Sequence, residues 1–394
     1  MKYNHKLIEI QEHLLRMDPD SNLSDILIDI LEKIMKLERE EFLKDSNKHN
    51  KGNGYYQRLA KLLNRKFTLS IPRDRDGLFK PLIIEIIKNY QKNYYETIKQ
   101  LYLKGFTHND ISDIMNEIYG NSLSSGAISN ITNGLLEEFN AWQKRELEDE
   151  YVAIYIDTIY CKLRRGESYE NEGFTIALGL KYDGTREILG VYSTPNESIY
   201  CWEDVLDDIK KRGVKSPLLI VADGINGFEN IVNKVFPKAK FQKCVVHKKR
   251  NILKRVRSQD KQYIAEDLKE VFNVHKEDTK EEAKERLEKF IRKWEKKYKF
   301  IRSTFREEVV EYYLTYLDFP LIIRSMIYTT NRIERFNNTI RKKLKVRRGL
   351  PNEEAVYKLI FAGIMEMEEK YSYKISQVQR VYNELLKILE KMYN

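Results

Sequence analysis

No apolar run in this chain approaches the roughly 18–20 residues that a bilayer-spanning helix requires. Its first residues, MKYNHKLIEIQEHLL, are interrupted by charge throughout. They lack the apolar core of a secretory signal, so a cytoplasmic location is expected. Three cysteines, Cys161, Cys201 and Cys244, are too few and too scattered for a disulfide framework. Internal repeats and low-complexity tracts are missing as well. What is present is 42% hydrophobic and 33% charged residues in a chain of 394, enough for real cores beneath a wet, helix-rich surface. That length exceeds a usual single core, so two or three domains are expected. Lys and Arg outnumber Asp and Glu by 70 to 60, a net charge of +10. This excess favours a polyanionic partner without choosing among DNA, RNA and anionic membrane, and a merely basic soluble protein has the same balance.

Helical periodicity organises the first part of the chain. Leu7, Ile10, Leu14 and Leu15, then Ile26, Ile30, Ile34 and Leu37, recur at three- and four-residue steps, with Pro19-Asp20 between the two sets. Residues 1–50 are therefore read as an N-terminal helical segment, closed by the polar stretch 45–54. Residues 51–148 are read as a helical DNA-binding region. Within it Thr107 can cap a helix with Ile111 and Ile114 inward, and Gly120-Asn121 breaks it. Ser124 or Ser125 can then cap a second helix carrying Ile128, Ile131 and Leu135. This spacing suits a helix-turn-helix, and an ordinary helical hairpin fits it too.

At Tyr151 the period changes from 3.6 to 2. YVAIYIDTI, GFTIALGL and EILGVYS read as three successive strands. A helix near 202–212, the strand PLLIVAD (217–223), a helix near 227–235 and a strand FQKCVVH (241–247) follow. Three strands and then alternating helix and strand is the order of an RNase H-like mixed α/β sheet. The fold expected is such a catalytic domain, with 149–251 as its first part and 252–325 as an all-α insertion. Residues 326–394 then supply a catalytic helix and C-terminal helices.

Three carboxylates stand out. Asp157 is the one acid in an apolar, aromatic strand. Asp223 ends a hydrophobic run before Gly224, at the C-terminal strand edge where open α/β sheets place ligands. Glu334 heads a helix whose Ile333, Phe336, Ile340 and Leu344 form the buried face, while Asn338, Arg341 and Lys345 continue its own stripe. Asp157 and Asp223 can also be read as turn and cap residues. Two acid-free stretches rich in Lys and Arg, 230–259 and 335–352, bracket these acids and suggest a phosphate backbone. Arg73, Arg75, Lys248, Lys249, Arg250, Arg341, Lys342 and Lys345 are the expected DNA contacts. Phosphodiester cleavage and strand transfer need an activated nucleophile and a stabilised leaving oxygen. Two Mg²⁺ (or Mn²⁺) ions on hard carboxylate ligands supply both. Cys244 and His247 form a Cys-x2-His pair without a second pair at ligand spacing, so a packing role or a place beside the catalytic centre is preferred to zinc.

From Gly54 onward the chain resembles bacterial insertion-sequence transposases of the Mutator type. The resemblance is carried by GYYQR (54–58), PRDRDGLFKP (72–81), LSSGAISNIT (123–132), IDTIYCKLR (156–164), ILGVY (188–192), ESIYCW (197–202), VADGINGF (221–228), CVVHKKRN (244–251) and YTTNRIERFNNTIR (328–341). It implies an RNase H-like catalytic domain with a helical insertion between the second aspartate and the glutamate. Asp157, Asp223 and Glu334 are implied as the metal-binding triad, and Cys244 and His247 as the family's signature pair. The implied partners are transposon ends and target DNA, held by a homodimer or higher homo-oligomer, with no membrane. A nuclease that cuts without joining and a DNA-binding regulator without catalysis are the alternatives, and the complete triad argues against the second.

Overall fold

A computed structural model describes residue 8 and residues 23–45, 49–62, 65–120, 122–195, 199–224, 227–347 and 349–394. Leu7, Ile10, Leu14, Leu15, Pro19, Asp20, Asn121 and Glu197-Ser198, which figured in the sequence reading, lie outside these residues. So do Ile225 and Asn226 of the VADGINGF block. The chain divides into two compact units. One comprises the described residues through Tyr102 with Phe106–Thr132, the other Leu103–Gly105 with Asn133–Asn394.

The first unit opens with helix α1 (Leu23–Asp45), followed by strands β1 (Gly52–Leu62) and β2 (Arg65–Asp74). The strands pair as an antiparallel hairpin, Tyr56 opposite Ile71 and Gln57 opposite Ser70. This hairpin corrects the all-helical expectation for residues 51–148. Its small core is made of Met35 from α1, Ala60, Leu69 and Ile71 from the strands, and Ile84 and Ile87 from helix α2 (Leu82–Leu103). A single buried face on each of four elements was enough, whereas the sequence showed mainly the basic residues of the outer face. Asp74 ties off the hairpin: it is buried, accepts from Asn50 Nδ2 at 2.7 Å and from the amides of Leu78 and Phe79 at 3.2 and 3.1 Å. Burial alone would raise its pKa, but these hydrogen bonds outweigh it and hold the carboxyl below its usual range. The DRDGLF turn thus owes its shape to one acid.

Helices α3 (His108–Tyr119) and α4 (Ser125–Thr132) complete this unit. Thr107 and Asp110 form a reciprocal capping box, and Gly120 closes α3 at φ 67°, the left-handed conformation glycine adopts without strain. Ser124 Oγ accepts from the Ala127 amide at 3.2 Å, capping α4. Ile111, Met115 and Ile128 are fully buried. The second helix is shorter than expected. It ends at Thr132, and Leu135 lies in α5 (Gly134–Gln143), which belongs to the second unit.

The second unit is built on strands β4 (Ala153–Arg165), β5 (Ser168–Leu180), β6 (Arg186–Ser193), β8 (Leu219–Ala222) and β9 (Lys240–Lys243), in the order β6-β5-β4-β8-β9; short strands β3 (Glu150–Tyr151) and β7 (Ser216–Pro217) pair beside them. The first three strands are antiparallel neighbours, while β8 and β9 add in parallel to β4. Helices α6 (Ile199–Lys211) and α7 (Phe228–Val235) are the crossovers that parallel pairing requires. They pack Trp202, Leu206, Phe228 and Val232 against Ile154, Ile156 and Ile220 of the sheet.

Beyond β9 the chain is helical: α8 (Val245–Arg255), α9 (Lys261–Val271), α10 (Lys280–Trp294), α11 (Phe300–Thr304), α12 (Glu307–Leu314), α13 (Leu321–Ile327), α14 (Asn331–Val346), α15 (Glu353–Tyr371), α16 (Ser376–Arg380) and α17 (Tyr382–Tyr393). The strand expected over 241–247 stops at Lys243. Its partner β8 ends at Ala222, whose carbonyl accepts from the Cys244 amide at 2.9 Å. With no strand left to pair, Cys244 becomes the N-cap of α8 and Val245-Val246-His247 its first turn.

Candidate active site

The sheet register places the two aspartates. The parallel pairing of β4 and β8 ends at Ile156 opposite Ala222, so Asp157 and Asp223 each follow one step later on adjacent strands. Asp157 continues along β4, paired with Ile176 of β5, and is 9% exposed. Asp223 has left its strand and is half-exposed, with its own Oδ1 accepting from the Gly224 amide at 2.6 Å. Both line a cleft of about 550 Å³, together with Trp202, Lys248, Arg255 and Tyr313.

Glu334 arrives on α14, whose buried face is Ile333, Phe336, Asn337, Ile340 and Leu344. It joins Asp223 through a histidine. His247 lies 3.3 Å from Asp223 Oδ1 by Nδ1 and 3.0 Å from Glu334 Oε1 by Nε2. Two carboxylates on the two ring nitrogens require both to donate, which only imidazolium does. Its pKa is accordingly raised to about 9, first by its hydrogen bond with Cys244, against burial, and then by the charges of Cys244, Asp223 and Glu334. Arg250 forks Glu334 from the other side at 3.0 and 3.3 Å. Among the described residues no three His, Cys, Asp or Glu side chains stand close enough to hold one metal ion. The structure thus brings Asp157 and Asp223 together at the cleft and holds Glu334 beside them on His247 and Arg250.

Asp157 has a different guard. Asn337, fully buried, donates its Nδ2 to Asp157 Oδ2 at 2.7 Å, and Arg341 Nη2 stands 3.9 Å from the same oxygen. Burial raises the Asp157 pKa, and the amide, Arg341 and His247 offset it only in part. Its ionised form has too little compensation, the condition a bound cation relieves.

Cys244 fixes the histidine. Its Sγ lies 3.5 Å from the His247 amide, 3.4 Å from the Thr330 amide and 3.3 Å from Thr330 Oγ1. The Cys-x2-His spacing is that of an N-cap and the third residue of its helix. Burial pushes the thiol up, yet the hydrogen bonds from His247 and Thr330 leave it below its ordinary value. A Cys244→Ser protein, which keeps an acceptor at the cap, is expected to fold with its melting temperature nearly unchanged. Purified wild-type protein is expected to carry no stoichiometric zinc by metal analysis; zinc lost on that substitution would reverse the assignment.

The expected DNA contacts separate into different environments. Arg73 and Arg75 are exposed on the first unit's hairpin end, where Arg73 Nε donates to Asn53 O at 2.8 Å. Lys248 lines the cleft between the rings of Phe305 and Tyr313. Burial, with Lys243 and Arg255 adding, brings its pKa down to about 8. Lys249 instead rests on Phe272, and Arg250 is engaged by Glu334. Arg341, Lys342 and Lys345 are exposed along α14. Burial and then Lys269 lower the Lys249 pKa to about 8 from 10.5. Below pH 8 this lysine is charged both folded and unfolded, and its burial is a pure cost. Between 8 and 10.5 the folded chain releases a proton that the unfolded chain keeps, so stability rises with pH there. Lys249→Met is expected to stabilise by roughly 1 kcal/mol at pH 7, with the gain fading above pH 8 in denaturant titrations, and to leave DNA binding unchanged.

Asn337, Asn251, Arg255 and Tyr313 were not singled out by the sequence. Once Val245 begins a helix, Lys248, Asn251, Ile252 and Arg255 fall on one face at steps of three and four, and they line the cleft. Reading 244–247 as strand removed that phase. On α14, Asn337 from the buried face reaches Asp157, while Asn338 on the neighbouring polar stripe accepts from Arg341 at 3.1 Å.

Comparison with known proteins identifies the family. The Mutator family of transposases matches residues 1–374. The chain is 34% identical over 321 residues to the transposase for insertion sequence element IS1201 of Lactobacillus helveticus, across 82% of this chain and 85% of that protein. It is 33% identical over 349 residues to the IS905 transposase of Lactococcus lactis subsp. lactis (strain IL1403), covering 88% and 87%. A third relative, the transposase for IS256 in transposon Tn4001 of Staphylococcus aureus, is 28% identical over 375 residues, covering 93% and 95%. With a match over nearly its whole length, the chain belongs to the Mutator family of transposases.

Proposed function

We propose that this protein is the transposase of an insertion sequence, and that it cleaves and joins DNA with Asp157, Asp223 and Glu334. The observation that carries this reading is that Asp157 and Asp223 each follow the last paired residues of two adjacent parallel strands, with Glu334 linked to Asp223 through His247. In this reading the five-stranded sheet is RNase H-like, 252–325 is a helical insertion, and the first unit with α3 and α4 recognises the element's ends.

The donor set fits two hard divalent ions, Mg²⁺ or Mn²⁺: all three ligands are carboxylates, and the under-compensated charge of Asp157 favours a cation. When bound, such ions activate the attacking oxygen and stabilise the leaving one. The chain's own groups do the rest. Lys248 and Arg255 bind phosphates in the cleft, and the water-poor wall of Trp202 and Tyr313 strengthens their pull. Arg250 and His247 hold Glu334 in position until the site is loaded. In joining, a 3′-hydroxyl oxygen bonds to a target phosphorus and the phosphorus–O3′ bond of the target breaks. The hydroxyl proton ends on the released oxygen, so no energy source is consumed.

The test uses full-length protein, a duplex carrying an inverted repeat from beside the gene, and a target plasmid. Cleavage and joining that both require Mg²⁺ or Mn²⁺ are expected. Cleavage without joining would make the protein a nuclease, and neither with binding intact would make it a regulator.

A further inference from the structure

A second recess, of about 540 Å³, lies beside the catalytic cleft and shares Tyr160 with it. It is lined by Lys162, Asn171, Arg341 and Lys345, over an apolar floor that includes Leu344 and Leu350. Among the described residues, three cations and no acid line it. Lys162 and Asn171 sit directly opposite one another on β4 and β5, and both are exposed. Arg341 links the recess to the centre, standing 3.9 Å from Asp157. Tyr160, 46% exposed, offers a ring surface at the boundary.

We propose that this recess binds the phosphate backbone of the target DNA, while the element's end occupies the deeper cleft. The inference rests on the transposase reading above. In-line displacement brings the attacking and leaving oxygens to opposite sides of one phosphorus, so two strands must approach Asp157 from two directions. The molecule has two recesses that meet there. They differ in the chemistry they offer. Beside its phosphate-binding Lys248 and Arg255, the cleft presents the amide of Asn251 and the hydroxyl of Thr304 from different elements, uncharged polar groups able to read base edges. The recess presents chiefly lysine and arginine on an open surface, which holds phosphates without regard to sequence. An end is chosen by sequence, whereas a target can be taken by its backbone.

Lys162→Glu separates the two roles in full-length protein. With a precleaved end duplex and a target plasmid, joining is expected to fall about tenfold or more, while cleavage of an uncut end stays within about twofold. Lys162→Gln, should the reversed charge disturb the hairpin, is expected to lower joining less and to make its salt dependence shallower by about one counterion. Equal loss of cleavage and joining would assign the recess to the element's end, and no loss of either would remove DNA from it; each result overturns the proposal. A wild-type protein that cleaves but never joins overturns the transposase reading itself, and this inference with it.

Discussion

Asp223→Ala is expected to reduce cleavage and joining by at least about a thousandfold while leaving folding and DNA binding intact. The carboxylate is half-exposed beyond its strand and, among the described residues, accepts from its neighbour's amide and His247, so the fold loses little when it goes. Asp157→Asn is expected to be as inactive and at least as stable as wild type. It removes a buried charge whose pKa burial has raised, and it keeps an oxygen for the Asn337 amide. Stability and activity thus move in opposite directions, a pattern that damage to the fold cannot produce. Glu334 is the sharpest member of the set. It is held by His247 and Arg250 rather than turned into the cleft, so its part in catalysis requires those contacts to be exchanged when DNA and metal bind. Gel assays of Glu334→Ala decide the matter. If that variant cleaves at more than a few per cent of the wild-type rate, Glu334 leaves the triad.

How far the sequence revealed this site depended on whether a residue's role was local. Asp157 and Asp223 stood out as a lone acid within an apolar strand and an acid at the end of one, positions that turn and cap roles also fill. Their adjacency required a strand order, which the sequence offered only through the RNase H-like succession of three strands followed by alternating helix and strand. The capping box of Thr107 and Asp110 was half visible, since a cap is a matter of three residues. What stayed hidden depends on pairing between distant segments. The β1–β2 hairpin buries one thin face against α1, and its exposed residues obscure the alternation. The end of β9 is set by the length of β8, not by anything in CVVH, whose two valines suit a strand equally well. The role of Asn337 depends on the rotation of α14 over β4, where one residue's difference in phase moves a side chain by about 100° around the helix.

That difference in phase makes a decisive experiment. Asn337→Leu is expected to lower activity by about 10–100-fold, the usual consequence of removing a group that orients a metal-binding carboxylate. Asn338→Ala, its exposed neighbour, is expected to lower it by less than about twofold. The mechanism gives a second signature. Hydrogen bonding from the Asn337 amide pulls the Asp157 pKa down against burial, so its loss raises that pKa further. In the proposed mechanism the ionised carboxylate is the active form, and the acid limb of the pH–rate profile should therefore move to higher pH. More Mn²⁺ should also be needed for half-maximal binding by electron paramagnetic resonance, a readout independent of turnover. Asn337→Asp sets a stricter condition: with an acid 2.7 Å from Asp157, the pair must share a proton near neutrality. Its activity should recover toward high pH further than that of Asn337→Leu. A uniform loss in all Asn337 variants, without a shift in pH profile or metal requirement, would reduce the residue to a packing element and separate Asp157 in function from the amide that donates to it.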